Sequence, residues 1–361
     1  MTKVDYLIVG SGLTGAVIAR SLVDAGKDVL VVDRRNHMGG NVHDTVHESG
    51  VRIHTYGPHY FRTSSKKIWD FTTRFAKFYT YEAALLSNVD NELVQWPIAG
   101  SYITRKVGID WAPEFKGKPS NLEEAALGLM PRLIYEKFIK EYNEKQWGVP
   151  VKDLSSELCS RFDVRYDDEP RLKPNAPYQG IPEDGYASWM AAMLNGVKVE
   201  LGFDYLKNRN EIVARKCLIF TGPIDEFFDY ECGKLLYRGQ VRKHTYMPLV
   251  DFVQPCGQIN NPLHSGGTHI RTLEWKHMMP KHVQPQIKGT VVTQEIPFTP
   301  VTATNYEYPF PDNVNKHLYE TYRTKADGLT NTLICGRLGE YKYYDMDQAI
   351  GRALTLSEKF V

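Results

Sequence analysis

Three consecutive apolar residues, Leu7 to Val9, run into glycines at 10, 12 and 15, and the apolar positions from Ala16 to Leu22 then recur at helical spacing. A second apolar run, Val29 to Val32, ends in Asp33. This pattern predicts a strand, a tight turn, a helix and a second strand. Further on, SSKKIWDFTTRFAKF turns helical and NELVQWPIAG predicts a short strand broken by proline. Residues 121–147 predict two helices, with Pro131 starting the second. SSELCSRFDVRYDDEPRLKPNAPYQGIPEDGY is rich in charge, proline and glycine and predicts a long loop, functional or mobile. From Val197 short strands alternate with turns, and a helix from Asp347 closes the chain.

The opening unit has the chemistry of a dinucleotide site. Gly10 permits the sharp turn, Gly12 lets backbone approach a pyrophosphate, and Gly15 lets helix and strand pack closely, so the free N–H groups of the helix N-terminus face the phosphates. Asp33 stands where a ribose hydroxyl would be gripped. The glycines alone would also suit an ordinary turn; the strand before, the helix after and the acid favour nucleotide binding.

NAD and FAD share this fingerprint, and RRNHMGGN separates them. Arg34 and Arg35 follow the acid, and a second glycine pair, Gly39 and Gly40, suits backbone passing along an extended cofactor. This resembles flavoproteins of the glutathione reductase type and favours FAD. CLIFTGP reads as a strand returning to the nucleotide fold, so that domain is expected to be discontinuous. The expected fold class is mixed α/β. Residues 1–63, 196–240 and 325–361 form the Rossmann-like FAD-binding domain, 64–150 a mainly helical insertion, and 151–195 with 241–324 a mobile loop and an antiparallel-sheet substrate domain.

Lys and Arg number 44 against 43 Asp and Glu, a formal charge of +1, which gives no global attraction to nucleic acid or membrane. The five cysteines are scattered without CxxC spacing, so neither a disulfide framework nor a metal site is suggested and a reducing, cytoplasmic setting is expected. No apolar run is long enough for a membrane span and none reads as a secretion signal. Tyrosines number 22, enough for some to stack on flat ligands.

EYNEKQWG, YQGIP, TGPIDEFFDYECGKLLYR, VVTQEIP and GRLGEYKYYDMDQAI occur in that order, with RRNHMGGN and YGPHYF before them. Together they make nearly the whole chain similar to the bacterial UDP-galactopyranose mutases. The resemblance implies interconversion of pyranose and furanose forms of a UDP-hexose, through an adduct of sugar C1 with N5 of reduced FAD and no net redox change. It implies an external reductant such as NAD(P)H. A nucleotide diphosphate calls for arginines on its phosphates and aromatics on its base. By resemblance Arg161 and Arg271 bind the diphosphate, Tyr308 and Tyr343 add hydroxyls, and His59 joins this catalytic set. Phe138 and Tyr142 stack on uracil, Trp147 lines the pocket and Glu295 is a pocket acid; taken alone, these aromatics read equally as core. Gly10, Gly12, Leu13, Thr14, Gly15, Asp33, Arg34, Gly40, Asn41, Tyr56, Gly57, His59, Gly336, Arg337, Asp345 and Met346 are placed around FAD. The loop bearing Arg161 is expected to close over substrate.

Two departures bear on the sugar. The family commonly has a second histidine where GPHYFRT has Arg62, and the segment that usually supplies an aromatic reads DDEPRLKPNAP, with Arg171. Arg62 and Arg171 are expected to adapt the pocket to a modified hexose such as N-acetylgalactosamine; a relative acting on dTDP-fucose also exists. Residues between Trp96 and Asn121, a region through which family members form homodimers, are fewer than usual. The competing readings are a flavin oxidoreductase of the amine-oxidase type and a nucleotide-sugar-binding flavoprotein without activity.

Overall fold

Strand Thr2–Val9 lies in the middle of a five-stranded parallel sheet in the computed structural model, which describes residues 1–162 and 164–361. Its neighbours are Val29–Asp33 on one side and Ile212–Phe220 on the other, with Lys198–Leu201 and Thr332–Ile334 at the edges. The CLIFTGP strand thus returns beside the first one, and separate stretches of chain supply the sheet. Both faces are covered, which is why the strands read as unbroken apolar runs. Ile8, Val31 and Ile219 meet the helices Leu13–Asp24 and Met346–Ser357, while Leu7, Val32 and Phe220 meet Tyr322 and Ala326 of Asn313–Asp327.

A second sheet runs in the order Tyr308–Pro309, Tyr237–Met247, Thr290–Phe298, Arg271–Glu274, Gln258–Asn260, Leu85–Val89, Glu92–Trp96. All its pairs are antiparallel except Gln258–Asn260 with Leu85–Val89.

Two stretches differ from the sequence expectation. Residues 64–150 contribute strands as well as helices: Leu85–Val89 and Glu92–Trp96 form a hairpin whose turn residues, Asp90 and Asn91, both have positive φ, 53° and 63°. A two-residue turn of that kind matches the twist of the strands it joins. Within the expected loop, Tyr178–Pro182 is the central strand between Phe61–Thr63 and Phe78–Tyr79, and Gly185–Met193 is a helix. The start of that helix is held from far away, because the Asp44 carboxylate accepts the N–H of Tyr186 at 2.6 Å and of Ala187 at 3.1 Å. Pro131 does precede a helical rod, Arg132–Ile134 continuing to Trp147, with Tyr135–Lys140 wound as a π-helix.

Candidate functional site

The C-terminal ends of the parallel strands open into a cavity of about 380 Å³. Gly10, Asp33, Thr221 and Gly336, each just beyond a strand, line it, the usual ligand position in such sheets. The two glycine pairs meet there. A Cβ on Gly40 would lie 2.8 Å from Cα of Gly12, and Gly40 has φ +57°, so only glycine lets the second segment close on the first. Gly15 is outside the lining; a Cβ there would lie 2.0 Å from the Gly10 oxygen, which is the close helix–strand packing expected of it. Leu13, Thr14, Arg34, Asn41, Tyr56, His59, Arg337, Asp345 and Met346 line the same cavity. Asp33 already works within the protein: Oδ2 accepts from Ser11 N and Oγ, both at 2.7 Å, and Oδ1 from Arg35 N at 2.9 Å. Arg34 is paired with Glu226 through two bonds of 2.9 Å. Arg337 donates to the Glu307 carbonyl through Nη2, but its buried Nε has no partner among the described residues. A buried guanidinium N–H without an acceptor suits an anion.

A second cavity, about 270 Å³, is lined by Phe138, Tyr142, Trp147 and Arg161. The two cavities share Leu85, Gln258, Arg271, Tyr308 and Tyr343. Tyr308 and Tyr343 stack at 5.9 Å, and the Arg161 guanidinium lies 3.9 Å from the centre of the Tyr343 ring. Among the described residues that guanidinium has no ion pair, and neither tyrosine hydroxyl has a hydrogen-bond partner.

One face of the second sheet carries a polar row in direct register: Arg242 opposite Glu295, Glu295 opposite Arg271, Arg271 opposite Asn260, Asn260 opposite Ser87. Directly opposite residues put their side chains on one face and in contact. Glu295, fully buried, takes Arg242 Nε at 2.8 Å and Arg271 Nε at 2.5 Å, and Arg242 also holds Glu307 through two bonds of 2.8 Å. Burial works against the ionised Glu295 carboxylate, but the two guanidiniums outweigh it and hold its pKa below the usual value. Glu295 therefore lies beneath the pocket and orients Arg271; it does not line either cavity. Gly57 is also behind the wall, its Cβ position 2.8 Å from Glu295 Oε1.

Arg62 lines the first cavity and reaches Asp345 at 3.4 Å. Arg171 lines neither: Glu169 and Glu82 take its guanidinium, and its backbone bridges Ala84 while Leu172 lines the cavity. Sequence reasoning missed Arg242, Glu307, Gln258, Asn260 and Ser87. The available signal was alternation, since Gln240, Arg242 and His244 take every second place in a strand.

His59 donates from Nδ1 to the Gly57 carbonyl at 2.7 Å once its ring is neutral, leaving Nε2 as the acceptor on a side chain that lines the cavity. Burial pushes its pKa down to about 4, and burial likewise holds His54, whose Nδ1 accepts the His59 N–H at 3.1 Å, well below its ordinary value. Both folded pKa values are depressed, so the stability they confer is complete above the unfolded value of 6.5 and is lost as pH falls below it. Each contributes a slope of about 1.4 kcal/mol per pH unit in that window. Urea midpoints are expected to drop between pH 6.5 and 4.5; a midpoint flat over that range contradicts buried neutral rings.

A family model described as UDP-galactopyranose mutase matches residues 137–343, and one described as an NAD(P)-binding Rossmann-like domain matches residues 8–75. A protein of Klebsiella pneumoniae named "Probable UDP-galactopyranose mutase" is 30% identical over 100% of this chain and 96% of its own. The dTDP-fucopyranose mutase of Escherichia coli is 30% identical over 100% and 99%. A crystal structure of reduced UDP-galactopyranose mutase superposes with a TM-score of 0.77 at 16% identity, covering 98% of this chain and 95% of that one. Putrescine oxidase shares the fold at TM-score 0.60 and 11% identity, covering 99% and 98%.

Proposed function

The chain belongs to the UDP-galactopyranose mutase family, and from that premise we propose that it interconverts the pyranose and furanose forms of a UDP-hexose, UDP-galactose or UDP-N-acetylgalactosamine. It is a flavin-dependent isomerase, active with reduced FAD. The observation that carries the substrate reading is the meeting of two cavities at Arg271, Tyr308 and Tyr343.

The first cavity fits FAD: the glycine cradle that a Cβ would fill, the unpartnered Nε of Arg337 for the pyrophosphate, and the N-terminus of Met346–Ser357 at the same space. When bound, reduced FAD would supply a nucleophilic N5 for covalent catalysis at the anomeric carbon without net redox change. The chain's own residues manage the leaving group. Arg161, Arg271 and the hydroxyls of Tyr308 and Tyr343 hold the diphosphate as it gains negative charge. Phe138 and Tyr142 take the base, with Trp147 beside them. The segment bearing Arg161 closes over substrate and excludes water, which strengthens those contacts. An oxidase reading leaves this set of cations and phenols without a task.

The test incubates dithionite-reduced protein with UDP-galactose, UDP-N-acetylgalactosamine and dTDP-fucose and separates pyranose from furanose by chromatography. Ring contraction of a UDP-hexose only after reduction is expected; equal turnover with oxidised flavin rejects the reading. The dTDP-fucopyranose mutase relative makes dTDP-fucose the second reading, which preference for that sugar would favour. Arg62→His is expected to shift the rate ratio of the two UDP-sugars toward UDP-galactose, and an unchanged ratio removes Arg62 from sugar choice. In the cell we assign a cytoplasmic setting, in keeping with five free cysteines, and an external reductant such as NAD(P)H. Among the described residues no helix is long and apolar enough to cross a membrane.

A further inference from the structure

We infer that Gln258 reads a hexose hydroxyl that closes neither ring, and so decides which sugars the site accepts. This rests on the proposed function, because it takes the junction of the two cavities as the place of the sugar. Gln258 lines both cavities, whereas Asn260 and Ser87 line only the second. Alternate strand residues share a face about 6.8 Å apart, so Gln258 stands one step from Asn260 on the face that also carries Arg271. Among the residues common to both cavities, Arg271 suits phosphate, Tyr308 and Tyr343 flank it and Leu85 is apolar. Gln258 is the neutral amide among them, the chemistry that suits an uncharged hydroxyl.

The amide is buried, 4% exposed, and held from two sides. Its Oε1 accepts the Tyr60 hydroxyl at 3.3 Å and its Nε2 donates to Asn260 Oδ1 at 2.8 Å, while Asn260 Nδ2 reaches Ser87 Oγ at 3.5 Å. A glutamine amide has two N–H donors and two acceptor lone pairs. One of each therefore has no partner among the described residues. A sugar hydroxyl can give and take at once, so it satisfies both, and a sugar lacking it leaves them buried and unpaired.

Ring chemistry limits which hydroxyl this is. The pyranose closes through O5 and the furanose through O4, so both oxygens change between free and bonded during turnover. A fixed amide cannot hold either throughout. O2, O3 and O6 keep their state, and Gln258 is matched to one of these.

The experiment measures kcat/KM of the reduced enzyme for UDP-galactose and its 2-, 3- and 6-deoxy analogues. For the native protein one analogue is expected to lose about 10- to 100-fold. In Gln258→Leu that penalty is expected to fall below about threefold while the other two penalties and the dissociation constant of UDP hold, since only one neutral contact is lost. Should Gln258→Leu not fold, Gln258→Met is judged by the same criterion. The inference is overturned if the native enzyme takes all three analogues as well as the parent sugar, or if a UDP-binding variant keeps the native penalties. No contraction of any UDP-hexose by reduced protein would instead reject the proposed function.

Discussion

Replacing Glu295 with alanine is expected to lower the unfolding free energy by about 3–5 kcal/mol, the cost of leaving buried guanidiniums without their carboxylate. Glu295 is fully buried, and Arg242 and Arg271 are 8% and 15% exposed, so water cannot take its place. Arg242 keeps Glu307 as a second partner. Arg271 has no second carboxylate among its printed bonds and bears most of the loss. The contrast is Glu92→Ala, whose ion pairs with Arg105 and Lys106 lie at the surface and are worth less than about 1 kcal/mol. Urea unfolding of both variants tests this, and a Glu295→Ala loss as small as that of Glu92→Ala would contradict it. The pH dependence has a defined sign. Because the folded Glu295 pKa is depressed, its stabilisation is complete above the ordinary value of 4.5 and disappears as pH falls below that toward the folded value. This window lies below that of the buried histidines, so acid unfolding should proceed through two separable slopes.

Arg161→Ala and Arg271→Ala are each expected to reduce kcat by about 10²–10³, the usual effect of removing one donor aimed at developing negative charge. They should differ in everything else. The Arg161 guanidinium is stacked on Tyr343 without an ion pair among the described residues, so its loss should leave stability within about 0.5 kcal/mol of native. Arg271 is locked to Glu295, and its loss frees a buried charge as well as a catalytic contact. Steady-state kinetics of reduced enzyme, a UDP titration and urea unfolding on both variants separate the two roles. An Arg161→Ala protein with native kcat would remove that residue from the reaction; an Arg271→Ala protein with native stability would show that the polar row does not depend on it.

Local signals accounted for what the sequence made legible. Strand, turn, helix and second strand at residues 7–33 follow from apolar runs and glycines a few positions apart, and Pro131 marks a helix start that the structure retains. The strand Tyr178–Pro182 was hidden because its pairing partners, Phe61–Thr63 and Phe78–Tyr79, lie about a hundred residues away and its own proline and glycine read as loop. Asp44 starting the helix at Gly185 is hidden for the same reason. At the site, arginines and tyrosines were found by motif, but Glu295 looked like a pocket acid until register put it between two guanidiniums. Gln258, Asn260 and Ser87 carry no motif at all. Their meaning comes from which strand lies beside which, and periodicity along a single strand does not contain that.

The row Arg242, Glu295, Arg271, Asn260 and Ser87 draws on five strands that are scattered over more than two hundred positions of chain. A slip of one place in any of them would turn its member to the opposite face. Catalytic competence and the last step of sheet assembly are then one event. During refolding, recovered turnover should lag behind recovered helix signal, and the active fraction of a preparation counts the molecules whose strands have all found their places.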